Sequence, residues 1–292
     1  MKIITLALSL LLLFSQSAFA LDWKNLHEQA DKLTLQEALA NSASHPDSPE
    51  ESYILGLVYL NLHQDKEALD IFSSILNRDP QMYPAQWGVA EVLRRQHSLE
   101  RSEGILKSIV KSHPGFSPAY ITLAYIKYTK KDFENSARFA SKVIGQGAGN
   151  VDLSNYVRAY LTLAGAKGMI AHYGGPLSKI INGTSVFPLL KKAQKLQPDS
   201  AGVFFGLGCF YLLAPAIAGG NPQKALGYLE QAVKADPLFA DAYVRLAQAY
   251  KLKGDTKKYQ ACMNTAVRID PGNELALDIQ SGKCDFICIG QK

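Results

Sequence analysis

Prolines recur along this chain at a fixed spacing of 34 residues. Pro46, Pro80 and Pro114 share this spacing, and Pro237 and Pro271 repeat it near the C terminus. A proline disfavours helical geometry in the residue before it, so each one marks the end of a helix. A period of this length is typical of repeated helical hairpins, none of which buries both its faces alone. The chain is therefore expected to stack its hairpins into a solenoid.

Two successive hairpins between Phe204 and Pro271 have matching anchor residues. Small anchors such as Gly208 and Ala247 let neighbouring helices approach closely, while larger anchors fill the remaining space. The anchors are Phe204, Leu207, Gly208, Tyr211, Ala225, Leu229, Ala232 and Pro237, then Tyr243, Leu246, Ala247, Tyr250, Tyr259, Met263, Ala266 and Pro271. This pattern resembles the tetratricopeptide repeat (TPR). The resemblance implies an all-α, right-handed TPR α-α superhelix (solenoid) of about six helical hairpins.

The same resemblance divides the chain into three parts after the N-terminal segment. Residues 21–48 are expected to form capping helices, 49–273 the repeat domain and 274–292 a C-terminal tail. The period breaks at two insertions, near residues 172–183 and 213–221, each between the two helices of a hairpin. Insertions at equivalent positions should meet on one edge of the solenoid. Because these are apolar and glycine-rich, they are candidates for binding, with tolerated loops as the alternative.

Residues 1–20 have the pattern of a secretory signal peptide. Lys2 precedes an apolar run from Ile3 to Phe14, and Ala18-Phe19-Ala20 forms a small-x-small cleavage site. The run is too short for an ordinary membrane span, so no stable membrane insertion is expected. The residue immediately after Ala20 is Leu21 and not a cysteine, which argues against a lipoprotein. We therefore expect cleavage after Ala20 and export to the periplasm.

The charge of the chain gives no indication of a nucleic-acid partner. The formal net charge is +5, and the basic residues are scattered instead of forming a patch. No stripe of alternating aromatic and basic residues is present of the kind that binds single strands. A protein or a small molecule is the expected kind of partner.

The four cysteines of an exported chain can form disulfides. Cys284 and Cys288 are spaced unlike the ligand pairs of a zinc site and have no histidine nearby in sequence, so a disulfide is predicted there instead of a metal site. Cys209 and Cys262 lie in apolar helical segments. They are either buried free thiols or a bridge between adjacent hairpins.

No catalytic constellation is recognisable, and the chain is predicted to be neither an enzyme nor a cofactor protein. The six histidines are separated along the sequence. Binding residues are instead expected where first helices face the concave groove and at the first insertion, because aromatic rings can stack on ligands and charged groups can orient them. Packing between repeats is the alternative for each residue. The candidates are Tyr53, Trp87, Glu91, Arg94, Tyr125, Tyr128, His172, Tyr173, Phe205 and Gln248.

A narrower resemblance comes from three segments of the second half of the chain. Gly174-Gly175-Pro176, the stretch from Tyr211 to Gly220, and Lys224-Ala225 are similar to the periplasmic T component of TPR-associated TRAP-type transporters, TatT. The resemblance implies a periplasmic binding module whose partner is a solute-binding protein, whose ligand is a small apolar organic molecule, or both. The alternative is a protein-protein interaction scaffold for envelope assembly or secretion machinery.

Overall fold

The computed structural model describes residues 22–289, which contain fifteen α-helices and no β-strand. Six full hairpins follow a short pair, α1–α2, and a last helix closes the stack, which confirms the predicted all-α TPR solenoid. The predicted signal peptide lies outside the described residues. The helices are α1 (Trp23–Ala30), α2 (Leu35–Ser44), α3 (Pro49–Asn61), α4 (Asp65–Arg78), α5 (Tyr83–Arg95), α6 (Leu99–Ser112), α7 (Ser117–Thr129), α8 (Phe133–Gln146), α9 (Leu153–Tyr173), α10 (Pro176–Leu196), α11 (Ala201–Leu213), α12 (Pro222–Ala235), α13 (Ala240–Leu252), α14 (Thr256–Ile269) and α15 (Glu274–Ser281).

Local sequence accounts for where the helices begin and end. Thr34 starts α2 with a capping box, in which its hydroxyl accepts the Glu37 amide at 3.3 Å and the Glu37 carboxylate accepts the Thr34 amide at 2.8 Å. Asn221 caps α12, and Pro222 takes the first helical position. Helix α12 ends one residue before Asp236, in an Asp-Pro pair as the sequence predicts.

Close approach between hairpins depends on glycine at two facing positions. The Phe72 ring of α4 is fully buried between Gly56 of α3 and Gly88 of α5. A Cβ atom added to Gly56 would lie 2.6 Å from the ring, and one added to Gly88 would lie 2.5 Å from it. Both distances are well below van der Waals contact. The ring therefore fills space that exists because these two residues have no side chain.

The first insertion is helical, which differs from the loop expected near residues 172–183. Helices α9 and α10 contain 21 residues each, compared with 13 in α7 and 14 in α8. The extra residues lengthen both helices, and only Gly174 and Gly175 separate them. Apolar side chains at helical spacing between Leu177 and Ile181 favour this outcome over a loop. The second insertion is a compact loop with one 3-10 turn, Ala216–Ala218.

Loops far apart in sequence touch across the superhelix. His63, in the turn after α3, lies 3.2 Å from the Asp236 carboxylate that precedes α13. One repeat later, His97 lies 2.9 Å from Asp270 and 2.9 Å from Glu274. Both histidines are 173 residues from their Asp partners. The same loop-to-loop contact is thus made twice, and it links early hairpins to late ones.

Candidate functional site

Helix α1 lies on the concave side of the superhelix, against the first helices of other hairpins. Its His27 is buried, with Nε2 2.9 Å from the Tyr53 hydroxyl of α3. The His27 ring centroid is 5.2 Å from that of Trp87 in α5, and Nδ1 is 3.4 Å from the amide nitrogen of Asn155 in α9. One side chain therefore contacts three hairpins. Burial lowers the pKa of His27 and favours its neutral form.

Two of the expected groove aromatics are covered by these contacts. Tyr53 has no exposed surface and Trp87 is 3% exposed. The Trp87 indole donates a hydrogen bond of 3.0 Å to the Thr122 hydroxyl of α7. Both rings pack between helices, and a ligand-binding role for them stays a prediction.

A buried ionic cluster occupies the middle of the concave side. Glu91 is 2% exposed, and its Oε1 lies 2.9 Å from Arg94, 3.8 Å from Arg95 and 3.6 Å from Arg158. The Thr122 hydroxyl donates to Oε2 at 2.7 Å. Burial alone would raise the pKa of Glu91, but the guanidinium groups of Arg94, Arg158 and Arg95 outweigh it and hold that pKa well below its usual range. Glu91 and Arg94, both predicted site residues, are therefore brought together.

The cluster is extended by Tyr125, another predicted site residue. The Arg94 guanidinium lies 4.4 Å from the centroid of its ring, within the range of a cation-π contact. The neighbouring carboxylate of Asp241 and burial raise the pKa of Tyr125, so the phenol is neutral. Glu91, Arg94 and Tyr125 thus form one connected group that holds α5, α7 and α9 together.

The remaining candidates lie in two places, around the C-terminal tail, which Tyr173 also contacts, and at Phe205. Tyr128 and Gln248 contact the C-terminal tail, with the Tyr128 ring 5.7 Å from that of Phe286. Phe205 of α11 packs against Phe239, at 4.8 Å between ring centroids. His172 and Tyr173 are exposed at the end of α9. The ten candidates therefore do not form one continuous site.

The joined ends of α9 and α10, residues 170–184, are termed the tip. Large apolar side chains are exposed there: Tyr173 57%, Leu177 69%, Ile180 64% and Ile181 57%. The last three are spaced as one face of α10. At the base of the tip, the Phe187 ring lies 5.0 Å from that of Phe210, just before the second insertion. Helix α10 thus has an exposed apolar face of Leu177, Ile180 and Ile181, which the spacing of these residues in the sequence indicates but which is not among the predicted binding residues.

A cleft of about 480 Å³ lies beside the tip. It is bordered by Phe133 of α8, Ile170 and Tyr173 of α9, and Asp285 of the tail. The Tyr173 hydroxyl donates to the Asp285 carbonyl oxygen at 2.6 Å, and the Tyr173 ring stacks on Phe133 at 6.1 Å between centroids. The cleft is open to solvent, so it is a surface feature and not an enclosed ligand cavity.

The four cysteines form one disulfide and two free thiols in the structure. Cys284 and Cys288 are joined by a disulfide. Cys209 and Cys262 are free thiols that are partly buried, and no bridge joins the two hairpins. Burial raises the pKa of each free thiol to about 11, so both are protonated at neutral pH and weakly nucleophilic.

The loop contact at His97 makes stability depend on pH. Partial burial lowers the pKa of His97, but hydrogen bonds and attraction to Glu274 and Asp270 outweigh this and raise it. The contact is therefore stabilising below the unfolded-state pKa of histidine and is lost as the pH rises through the higher folded-state pKa. We expect wild type to exceed His97→Asn in stability at pH 6, with the difference shrinking by pH 9. Asparagine suits this comparison because it tolerates the positive φ of 59° at residue 97.

Urea unfolding of both proteins at several pH values measures this difference. A difference that grows with pH would contradict the assignment of a charged His97.

Neither a metal-binding site nor a membrane-spanning helix is recognisable in the described residues. Between residues 22 and 289, no three His, Cys, Asp or Glu side chains are grouped so that they could hold a metal ion. None of the helices in that range combines the length and apolar character needed to cross a membrane.

Two repeat-family models match different parts of the sequence. Residues 37–154 match the model described as the second ARM domain of tetratricopeptide repeat protein 21, and residues 216–281 match a tetratricopeptide repeat model. No curated protein matches the sequence.

Solved structures share the fold at low sequence identity. A tetratricopeptide repeat protein from Parabacteroides merdae is 13% identical with a TM-score of 0.52, over 89% of this chain and 97% of that one. The Cut9-Hcn1 assembly of the APC/C has 17% identity and a TM-score of 0.57, over 88% of this chain and 47% of that one. The human IFIT1 dimer with m7Gppp-AAAA is 17% identical with a TM-score of 0.57, over 80% of this chain and 55% of that one. The chain thus spans about half the length of the last two.

These matches agree with the hairpin stack and its anchors. TPR proteins are generally binding scaffolds that recognise partner proteins or peptides. The similarity supports the fold and this general role, and it does not identify a partner. The chain has the all-α solenoid fold of tetratricopeptide-repeat proteins, and residues 37–154 and 216–281 match models of that repeat class.

Proposed function

We propose that this protein is an exported binding module that docks a partner protein at the tip. The observation that carries the proposal is the exposed apolar face of Leu177, Ile180 and Ile181, each more than half exposed. Monomeric soluble proteins rarely expose adjoining large apolar side chains without a binding role. The tip residues also lie beyond the helix length that neighbouring hairpins use for packing.

Features around the tip favour a folded protein as the occupant. Polar groups surround the apolar face, including the Lys167 ammonium, which donates to Asn182 at 3.1 Å, and the exposed Lys179. An apolar centre with a polar rim is the usual anatomy of a protein-protein interface. The neighbouring lysines also favour a partner with an acidic rim.

The periplasmic T component of a TRAP-type transporter is the specific role we propose. Two of the three segments that resemble TatT, Gly174–Pro176 and the stretch from Tyr211 to Gly220, lie at or just after the ends of the first helices of neighbouring hairpins and so belong to the edge that includes the tip. The partner would then be the transporter's solute-binding protein. A small apolar ligand in the groove has less support, because Tyr53, Trp87 and the ionic cluster fill that space.

A scaffold for envelope assembly or secretion machinery is the second candidate. The filled concave side favours the scaffold and the transporter component equally, because both roles use an outer protein-binding surface. The identity of the bound partner separates the two.

The test is direct binding between purified proteins. Leu177→Glu places a charge on the tip, and Leu39→Glu is the matched control, because Leu39 is an exposed leucine on α2 with 42% exposure. Partners captured from the native envelope are identified and purified, and their affinities for wild type and both variants are measured by calorimetry. We expect Leu177→Glu to weaken binding at least tenfold, because a charge would be desolvated in an apolar interface.

Circular dichroism melting curves control for folding in both variants. A captured solute-binding protein that binds wild type and Leu39→Glu equally would support the transport role, and an envelope assembly factor would support the scaffold. Unchanged binding by Leu177→Glu would remove the tip as the docking surface.

A further inference from the structure

The chain returns to the concave side after α15. Residues 284–289, here termed the tail loop, extend from Gly282 and contact α7, α9 and α13. Phe286 is 8% exposed, and its ring stacks on Tyr128 of α7. Phe133 and Met169 belong to the same apolar cluster. The tail loop thus inserts one aromatic side chain into a pocket formed by other hairpins.

The main chain of the tail loop is bound by a buried arginine. Arg245 of α13 is 4% exposed, and its guanidinium donates to the carbonyl oxygens of Phe286 at 2.6 Å and Ile287 at 2.9 Å. The Gln248 amide donates to the Ile287 carbonyl at 3.4 Å. Hydrogen bonds to successive carbonyls combined with a side-chain pocket are a mode in which proteins recognise short peptides.

The residue before the aromatic is also recognised. The Lys131 ammonium, in the turn after α7, lies 2.5 Å from the Asp285 carboxylate. The Tyr173 hydroxyl contacts the Asp285 carbonyl oxygen. Asp285 and Phe286 therefore each have a specific partner on the solenoid, and their order along the chain sets the direction of binding.

The conformation of the tail loop is not one that its sequence favours. Cys284 has φ of 58° and Ile287 has φ of 65°, and a β-branched residue in the left-handed region is costly. The Cys284–Cys288 disulfide and the Asp278 carboxylate, which accepts the amides of Asp285 and Phe286 at 2.9 Å each, hold the loop in this form. Because part of the binding free energy offsets this strain, a less strained segment with the same groups could compete.

We propose that the tail loop is an intramolecular ligand of a peptide site on α7, α9 and α13, and that this site binds a segment of a partner protein in which an acidic residue precedes an aromatic residue. The partner segment displaces the tail loop and takes over its contacts with Lys131, Arg245 and the pocket around Tyr128. This site adjoins the tip and shares Tyr173 with it, but it uses none of Leu177, Ile180 and Ile181, so its existence does not depend on the function proposed above.

The test removes the tail and supplies it separately. A variant that ends at Gly282 is titrated with a synthetic peptide of residues 283–292 in the disulfide form, with a fluorescent label and anisotropy as the readout. We expect saturable binding to the shortened protein and at least tenfold weaker binding to the full-length protein. The tethered tail competes at a high effective concentration, which accounts for the difference.

Two peptide variants and two protein variants define the contacts. Peptides with Phe286→Ala or Asp285→Asn should lose most of the affinity. In the shortened protein, Lys131→Ala should weaken binding, whereas Lys234→Ala, an exposed lysine on α12, should leave it unchanged. Equal binding to shortened and full-length protein would overturn the proposal. So would no binding to a folded shortened protein, or equal affinity for the Phe286→Ala peptide.

A full-length variant covers the case in which shortening the chain prevents folding. Asp285→Asn combined with Phe286→Ala keeps the chain length but removes the two anchors, and this variant should bind the wild-type peptide more tightly than the wild-type protein does. Loss of helical structure in both variants would show that the tail is a required part of the fold, which contradicts a displaceable ligand.

Discussion

Replacing Glu91 with alanine is expected to lower the free energy of unfolding by about 3 to 5 kcal/mol. The carboxylate is 2% exposed and is the shared partner of three arginines, among which Arg94 is 2.9 Å away. Its loss leaves buried or partly buried positive charges close to one another without their counter-ion. The Thr122 hydroxyl also loses its shorter hydrogen bond, at 2.7 Å, and keeps only the one to the Pro118 carbonyl at 3.2 Å. Urea unfolding followed by circular dichroism measures the change.

Two variants test whether the charge or the side-chain volume is responsible. Glu91→Gln keeps the shape and an acceptor for Thr122 but removes the charge, so it should be nearly as destabilising as alanine. Glu100→Ala is the matched control, because Glu100 also pairs with a basic residue, at 3.1 Å from Lys130, but its side chain is 82% exposed. We expect a much smaller change there. Similar changes at Glu91 and Glu100 would contradict the importance of the buried cluster.

Replacing Phe72 with alanine is expected to cost about 3 to 5 kcal/mol, at the upper end of that range. The ring is fully buried between Gly56 and Gly88. Neighbouring side chains usually relax to fill part of a cavity, but here two of the facing residues have no side chain that could move. The cavity should therefore stay open and both the α3–α4 and α4–α5 contacts should weaken.

A double-mutant cycle tests this explanation. Gly88→Ala in the wild type is expected to destabilise by about 1 to 3 kcal/mol, because its methyl group would overlap the Phe72 ring. In the Phe72→Ala background the same substitution should cost less, since the methyl group enters the cavity. Equal costs in the two backgrounds, measured by urea unfolding, would show that the ring and the glycine do not interact.

Much of the fold could be predicted because the repeat signal is local. Pro80, Pro114 and Pro237 end helices in the structure as the period indicates, since proline acts on the residue before it. The first insertion contains Gly174 and Gly175, and this glycine-rich composition predicts a loop. In the structure these glycines form a short turn, and the surrounding residues extend both helices.

The candidate site was harder to predict because its contacts join distant parts of the chain. His27 lies 128 residues from Asn155, and Arg245 binds carbonyl groups about 40 residues away. The repeat register indicates which positions face the concave side, and Glu91, Arg94 and Tyr125 are in contact there, while their role in binding stays a prediction. The register contains no information on whether α1 or the tail covers that side. Those segments lie outside the repeats, so periodicity does not describe them.

The paired contacts of His63 and His97 change how a solenoid of this kind should unfold. In an open stack each hairpin touches only its neighbours, so the terminal hairpins fray first and unfolding spreads inwards. Here an early turn is held by a late one, at Asp236 and again at Asp270. Fraying at either end must break contacts at the other. We therefore expect the described hairpins to unfold in one cooperative transition instead of one after another from the termini.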